Sequence, residues 1–280
     1  MLKIEAPAKL NLTLEVLSRR PDGYHEIWSI VQAIGLTDLI TLEESSGVTI
    51  NCDMPGWSAG RSLVSKALNL VRESCGLERG VKLDINKNIP LLSGLGGDSS
   101  DAAAVLEGLN EFWKLDLTLE QLRHFAADLG SDVFFFLTGG TAFAGGRGER
   151  IKSLPALPRM WAVVVVPDLP RETGKTVKMY AALEPSHFTD GRITQKFVDM
   201  LAVGTELDDS LLFNTFENIA FADSDLRAYV EHLEKLGAPH VHLCGSGFSL
   251  FTLFKDKSSA EELYTCCRDQ QMEVYLAETL

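Results

Sequence analysis

The sequence has no apolar run near the roughly 18 residues needed to cross a bilayer. Its longest candidate, Trp161 to Val166, is bounded by Pro158 and Pro167 and fits a buried strand. The N-terminus, MLKIEAPAKL, has too short an apolar run and carries charge too early to be a signal peptide, so the expectation is a cytoplasmic protein without a membrane partner. Cysteine is scarce. Cys52, Cys75, Cys244, Cys266 and Cys267 form an odd set without CxxC spacing, which argues against a disulfide framework or structural zinc and for reduced thiols. Basic residues are also in deficit, with 26 Lys+Arg against 39 Asp+Glu and a net charge of −13. That balance argues against a nucleic-acid partner. It leaves room for an anionic small ligand, because a site responds to its local charges. Internal repeats and low-complexity tracts are missing too.

What remains is ordinary globular texture: 280 residues, 45% hydrophobic and 23% charged. The length allows one large domain or two moderate ones. Leu10, Leu12, Leu14 and Val16 alternate with Asn11, Thr13 and Glu15, which predicts a half-buried strand with Lys9 and Asn11 on its polar face. Leu63, Ala67, Leu70 and Val71 repeat at helical spacing, as do Ala102, Leu106, Leu109 and Trp113. Val81, Leu83 and Ile85 alternate as a strand. Thr118 and Gln121 form a capping-box pattern, Gly130 is placed to close that helix, and Ser131 is placed to cap a short one beginning at Asp132. A helix carrying Leu226, Tyr229, Leu233 and Leu236 stops at Gly237. Strands at 241–243 and 248–254 and a helix near 260–267 complete the chain. Strands and helices mix without strict βαβα alternation, so the fold class is α+β. The proline-rich stretch from Pro155 to Pro158 sets a boundary between domains 1–157 and 158–280.

The segment from Pro90 to Ala104, PLLSGLGGDSSDAAA, is the most informative. Gly94, Gly96 and Gly97 precede Ser99 and Ser100, and a helix opens at once. Glycines allow close backbone approach, and a helix start offers N–H groups and partial positive charge to an anion. Serine hydroxyls can donate to phosphate or ligate magnesium. A glycine-rich turn with an ordinary serine cap explains the same residues. Two nucleotide signatures fail: the loop lacks the third glycine of GxGxxG, and Gly174-Lys175-Thr176 resembles the end of a Walker A loop whose first glycine position holds Leu169.

The run PxxxGLGxSSxAA resembles the ATP loop of the GHMP kinases, the superfamily of galactokinase and homoserine, mevalonate and phosphomevalonate kinases. Ala6-Pro7-Ala8-Lys9-Leu10-Asn11-Leu12, the segment Arg19-Arg20-Pro21-Asp22-Gly23-Tyr24-His25-Glu26, Gly130-Ser131-Asp132-Val133 and Gly245-Ser246-Gly247 extend the likeness over nearly the whole chain. PDGYHE is the specific element. It is similar to the branch whose acceptor is a cytidine-diphosphate-linked methylerythritol, in the non-mevalonate route to isoprenoids.

The resemblance implies a two-domain GHMP kinase fold, with an N-terminal domain like ribosomal protein S5 domain 2, a C-terminal α/β plait and the active-site cleft between them. It implies ATP and Mg2+ as cofactors, a small-molecule acceptor phosphorylated at its 2-hydroxyl, and a monomer or homodimer. It assigns Pro90, Gly94, Leu95, Gly96, Gly97, Ser99 and Ser100 to ATP. Lys87 flanks the adenine or a phosphate, or else is a solvated strand end. Asp132, otherwise a helix-start residue, becomes the catalytic base. Lys9, otherwise a solvated strand lysine, becomes the cation that keeps that base ionised. Tyr24 and His25, otherwise turn packing, form the cytidine pocket, and Tyr180 covers the other face of the base. Asn11 and Thr176 join the acceptor side. Gly245 and Ser246 lie near the substrate phosphates or brace the first loop, or else form only a tight turn. His240 and His242 share a strand face, but no third metal ligand accompanies them.

The chain departs from the pattern in three places. Leu92-Ser93 replaces a glycine or small pair, Asp98 stands where glycine is frequent, and Ser62 replaces an asparagine. A carboxylate at 98 repels phosphate unless it points away or binds magnesium. The alternatives are another small-molecule kinase of the same fold, a diphosphomevalonate decarboxylase, or a nucleotide-binding module without catalysis.

Overall fold

The structure is a computed structural model that describes residues 1–170 and 174–280. The strands are β1 (Leu2–Arg19), β2 (His25–Ser45), β3 (Val48–Cys52), β4 (Gly80–Asn86), β5 (Thr141–Gly146), β6 (Arg150–Ser153), β7 (Trp161–Val166), β8 (Phe213–Asn214), β9 (His242–Leu243), β10 (Leu250–Phe254) and β11 (Glu273–Glu278). The helices are α1 (Leu63–Ser74), α2 (Gly97–Trp113), α3 (Leu119–Leu129), α4 (Ser131–Phe136), α5 (Lys175–Ala181), α6 (Arg192–Val203), α7 (Glu217–Ala220), α8 (Ser224–Lys235) and α9 (Lys257–Asp269). Two compact units interleave along the sequence. One comprises Met1–Ala8, Thr37–Leu91 and Gly96–Gly139; the other comprises Lys9–Leu36, Leu92–Leu95 and Gly140–Leu280. The long strands β1 and β2 contribute residues to both.

In the first unit, the latter half of β2 pairs antiparallel with β4, and β3 pairs parallel with β4. Helix α1 begins where Ser62 accepts from the Val64 amide, and it buries Val64, Ala67, Leu68 and Val71. Helix α2 is buried along most of its length because alanines dominate its first turns. The Thr118–Gln121 capping box opens α3, and Gly130 follows its last residue. Gly130 is also the N-cap of α4, so Ser131, expected to be the cap, is instead the first residue of that helix.

In the second unit, β5 runs antiparallel to the first half of β2, β6 to β5, and β8 runs parallel to β1. A separate sheet has the order β11-β7-β10-β9. The Val163–Val166 run is central there, flanked antiparallel by β10 and β11. Helices α8 and α9 add Leu226, Leu233, Ala260 and Leu263 to the core that also holds Leu14, Val16, Val163 and Val165. Strand β11 lies beyond the last element expected from the pattern.

From Ala8 to Val16, β1 is buried on both faces, not one. Its polar row of Lys9, Asn11, Thr13 and Glu15 is closed to solvent. The reason is tertiary cover: α6 closes over Thr13 and Glu15, with Thr13 Oγ1 2.9 Å from Thr194 Oγ1 and Glu15 Oε2 accepting from the Thr194 amide at 2.7 Å, while the Gly245 backbone lies against the Lys9 and Asn11 side chains. Among the described residues, no helix is long and apolar enough to cross a membrane, and no three metal-binding side chains cluster.

Candidate active site

The start of α2 has the character of an anion site. Gly96, at φ +79°, takes the cap position and has no side chain to occupy the first-turn amides. A helix of 17 residues follows, so its dipole adds positive potential there. The Ser100 hydroxyl is buried and has no hydrogen-bond partner, leaving a donor to spend. Asp98, the carboxylate expected to repel phosphate, turns instead to the start of α1. It accepts from Ser62 Oγ at 3.2 Å and from the Leu63 amide at 3.3 Å. Ser62 and Asp98 thus join two helix starts.

Lys87 is not solvated. Its ammonium donates to Asp38 and, at 2.7 Å, to Asp101, with all three side chains buried. A Cβ on Gly97 would lie 3.2 Å from Lys87 Nζ, so the cation sits under the first turn of α2.

In the second unit, the Leu92–Leu95 segment meets β1 and the turn before β10. The Lys9 amide donates to the Leu95 carbonyl at 2.9 Å, and the Ser249 amide to the Ser93 carbonyl at 3.2 Å. Gly94 and Gly247 touch through bare backbone: a Cβ on Gly247 would lie 2.6 Å from Gly94 Cα. Close approach, not turn conformation alone, requires glycine there. Leu92 takes φ +57°, a left-handed position where the superfamily pattern has a small residue. Asn214 Nδ2 donates to the carbonyls of Leu243 and Gly245, at 2.9 and 2.7 Å, and so fixes the third glycine segment. Lys9 Nζ donates to Asn11 Oδ1 at 2.5 Å. A Cβ on Gly245 would lie 3.2 Å from Asn11 Oδ1 and 3.3 Å from Lys9 Nζ. Thr176 Oγ1 lies 2.8 Å from Ser246 Oγ, and Lys175 Nζ donates to the Gly247 carbonyl at 2.7 Å. Burial lowers Lys175 to about 8.

PDGYHE divides by role. Asp22 and Glu26 hold the hairpin: Arg20 bonds both, and the Tyr24 amide donates to Asp22. The Arg20 hydrogen bond lowers the Asp22 carboxyl below its ordinary value. Tyr24 is exposed, with the Arg147 guanidinium 4.6 Å from its ring centroid. His25 stacks on Tyr180, with centroids 5.0 Å apart and planes at 26°. Burial first, and the Arg19 charge second, lowers the His25 pKa below its usual value. The aromatic pair is therefore His25 with Tyr180, not Tyr24 with Tyr180. A base held between them requires the rings to part, since an inserted ring needs about twice one stacking distance.

Comparison with known proteins fits this geometry. A family model, "GHMP kinases N terminal domain", matches residues 62–140. A 4-diphosphocytidyl-2-C-methyl-D-erythritol kinase of Dehalococcoides mccartyi is 47% identical over 281 aligned residues, covering 100% of this chain and 99% of the relative. The chain belongs to the 4-diphosphocytidyl-2-C-methyl-D-erythritol kinase family. A family member from Enterococcus faecalis is 36% identical over 98% of each chain. A crystal structure of a 4-(cytidine 5'-diphospho)-2C-methyl-D-erythritol kinase superposes with a TM-score of 0.85 at 33% identity, covering 99% of each chain. The fold is that of the GHMP kinases.

Among the residues expected to serve this family's chemistry, the second unit brings Lys9, Asn11, Gly94, Leu95 and Gly245 together. It links Thr176 to Ser246 and His25 to Tyr180. The first unit places Gly96, Gly97, Ser99 and Ser100 at the α2 start, with Lys87 beneath. Asp132 is exposed in the first turn of α4. Sequence reasoning missed Ser29, Asn214, Asp38 and Asp101. Each has a faint signal: a polar residue within an apolar run, as in IWSIVQAI, or next to the alanines of α2.

Proposed function

We propose that the chain transfers the γ-phosphoryl group of ATP to the 2-hydroxyl of 4-(cytidine 5'-diphospho)-2-C-methyl-D-erythritol, giving the 2-phosphate and ADP. The observation that carries this reading is 47% identity, along the full length, to a relative bearing that kinase name. Residues 1–157 serve ATP and residues 158–280 complete the enzyme; the family-model match at 62–140 supports the first assignment.

The α2 start receives the triphosphate through backbone N–H groups and the Ser99 and Ser100 hydroxyls, with Pro90, Gly94, Leu95, Gly96 and Gly97 shaping the loop. The unpartnered Ser100 hydroxyl fits a magnesium-bound triphosphate as a ligand or phosphate donor. Bound magnesium supplies neutralisation of phosphate charge.

Asp132 accepts the proton of the attacking hydroxyl, and Lys9 favours the developing alkoxide. His25 and Tyr180 clasp the cytosine, with Tyr24 at the rim. Asn11, Thr176, Gly245 and Ser246 serve the acceptor side. A cytoplasmic location agrees with five free cysteines.

The test is coupled ADP release with the cytidylated acceptor, against the same polyol phosphate lacking cytidine. Strong preference for the cytidylated form is expected. Equal rates with both would remove the base pocket, and phosphorylation of homoserine or mevalonate alone would overturn the substrate.

A further inference from the structure

Ser29, in β2, is buried and lies outside every motif that marks the family resemblance. Its hydroxyl oxygen is 2.5 Å from the Thr13 carbonyl and 2.9 Å from Asn11 Nδ2. A carbonyl can only accept, so the single Ser29 proton points to Thr13. Toward Asn11, Ser29 can then only accept, which requires the NH2 end of the amide to face it. The other end, Oδ1, is thereby turned to Lys9 Nζ at 2.5 Å, and an ammonium can only donate. The two ends of the amide are fixed independently, and both give the same orientation.

We infer that Ser29 is a positioning residue for phosphoryl transfer: its hydroxyl locks the amide of Asn11, and Asn11 Oδ1 holds the Lys9 ammonium in place. The inference rests on the reading of Lys9 as the catalytic cation. Thr13 contributes from the same side. Its carbonyl receives Ser29, and its hydroxyl takes the Ile30 amide at 2.9 Å and meets Thr194 of α6. The chain of bonds from Lys9 therefore ends on a helix, not in solvent. Gly245 leaves the space that the Lys9–Asn11 pair fills.

Without the hydroxyl, Asn11 is held at one end only and can rotate its NH2 group toward Lys9, where donor would face donor. Misplacement of a reacting group by about an ångström is costly to turnover but not to remote binding. Ser29→Ala is therefore expected to lower kcat by about tenfold or more while KM for ATP stays within about twofold. Ser29→Thr keeps the hydroxyl and restores kcat to within about threefold of the parent. Because Ser29 acts through Asn11, the double variant Ser29→Ala/Asn11→Ala is no slower than Asn11→Ala alone.

Parent-like kcat in a folded Ser29→Ala protein overturns the inference. So does an equal loss on adding Ser29→Ala to either the parent or the Asn11→Ala background. If Ser29→Ala does not fold, Ser29→Cys, a much weaker donor in nearly the same space, carries the same comparisons. Lys9→Met separates the two levels. Full turnover in that variant removes the reading of Lys9 itself; loss there with no loss in Ser29→Ala removes only the role of Ser29.

Discussion

Lys87 Nζ lies 2.7 Å from Asp101 Oδ2 and also donates to Asp38, with all three side chains closed to solvent. Asp38 further accepts from the amides of Asn88 and Ile89, at 2.6 and 2.7 Å. The triad thus ties the strand end before the glycine-rich loop to the first turns of α2. Two carboxylates share one ammonium there, and one Asp101 oxygen has no partner.

Burial raises Asp101 to about 8, with Lys87 pulling it down and Asp38 pushing it up. The folded chain then holds a proton that the unfolded chain, near the ordinary carboxyl value, has released. Stability is expected to fall as pH rises from about 4 toward 8. Asp101→Asn removes that titration, and denaturant unfolding across this window should show a flatter profile than the parent. An unchanged slope would place the proton elsewhere.

Lys175 gives the opposite sign. Its folded value, lowered by burial to about 8, lies below the ordinary lysine value of 10.5. Between these, the unfolded chain binds the proton that the folded chain has lost, so stability rises with pH across that interval. Lys175→Met should abolish the rise in unfolding measurements made from pH 8 upward.

Gly247→Ala would force a methyl to within 2.5 Å of the Ser93 carbonyl oxygen. The neighbours are backbone and cannot rotate away, so a loss of about 1–3 kcal/mol is expected, together with weakened ATP binding as the loop shifts. Gly60→Ala, where the added methyl would lie 4.0 Å from Ser58 Oγ, is the control for denaturant midpoints.

Asp132→Asn tests the proposed base. The side chain is exposed, so the melting temperature should stay near that of the parent. A general base contributes about 10²–10⁴-fold, and kcat should fall by that order. Near-normal turnover would remove Asp132 from the mechanism.

The legible parts were those with local causes. The capping box at Thr118 and the strand Trp161–Val166 stand where the pattern put them, and α1 is a helix as expected, but Val64 and Leu68 rather than Leu63 and Leu70 join Ala67 and Val71 on its buried face. Strand β11 escaped because its six residues, EVYLAE, carry glutamates at both ends. The polar phase of β1 was visible, but its burial was not, because Thr194 and Glu15 are 179 residues apart.

The site divides in the same way. Sequence alone determined the glycine-serine loop at a helix start, the PDG turn and the family to which these motifs point, because each depends on neighbouring residues. Only tertiary structure decided that Lys87 is an internal ion-pair cation, that Asp98 faces α1, that His25 is the partner of Tyr180 and that Ser29 orients Asn11. Those relationships arise from strand register and backbone approach between distant segments. Hydrogen-bond direction and burial, not residue type, set their chemistry.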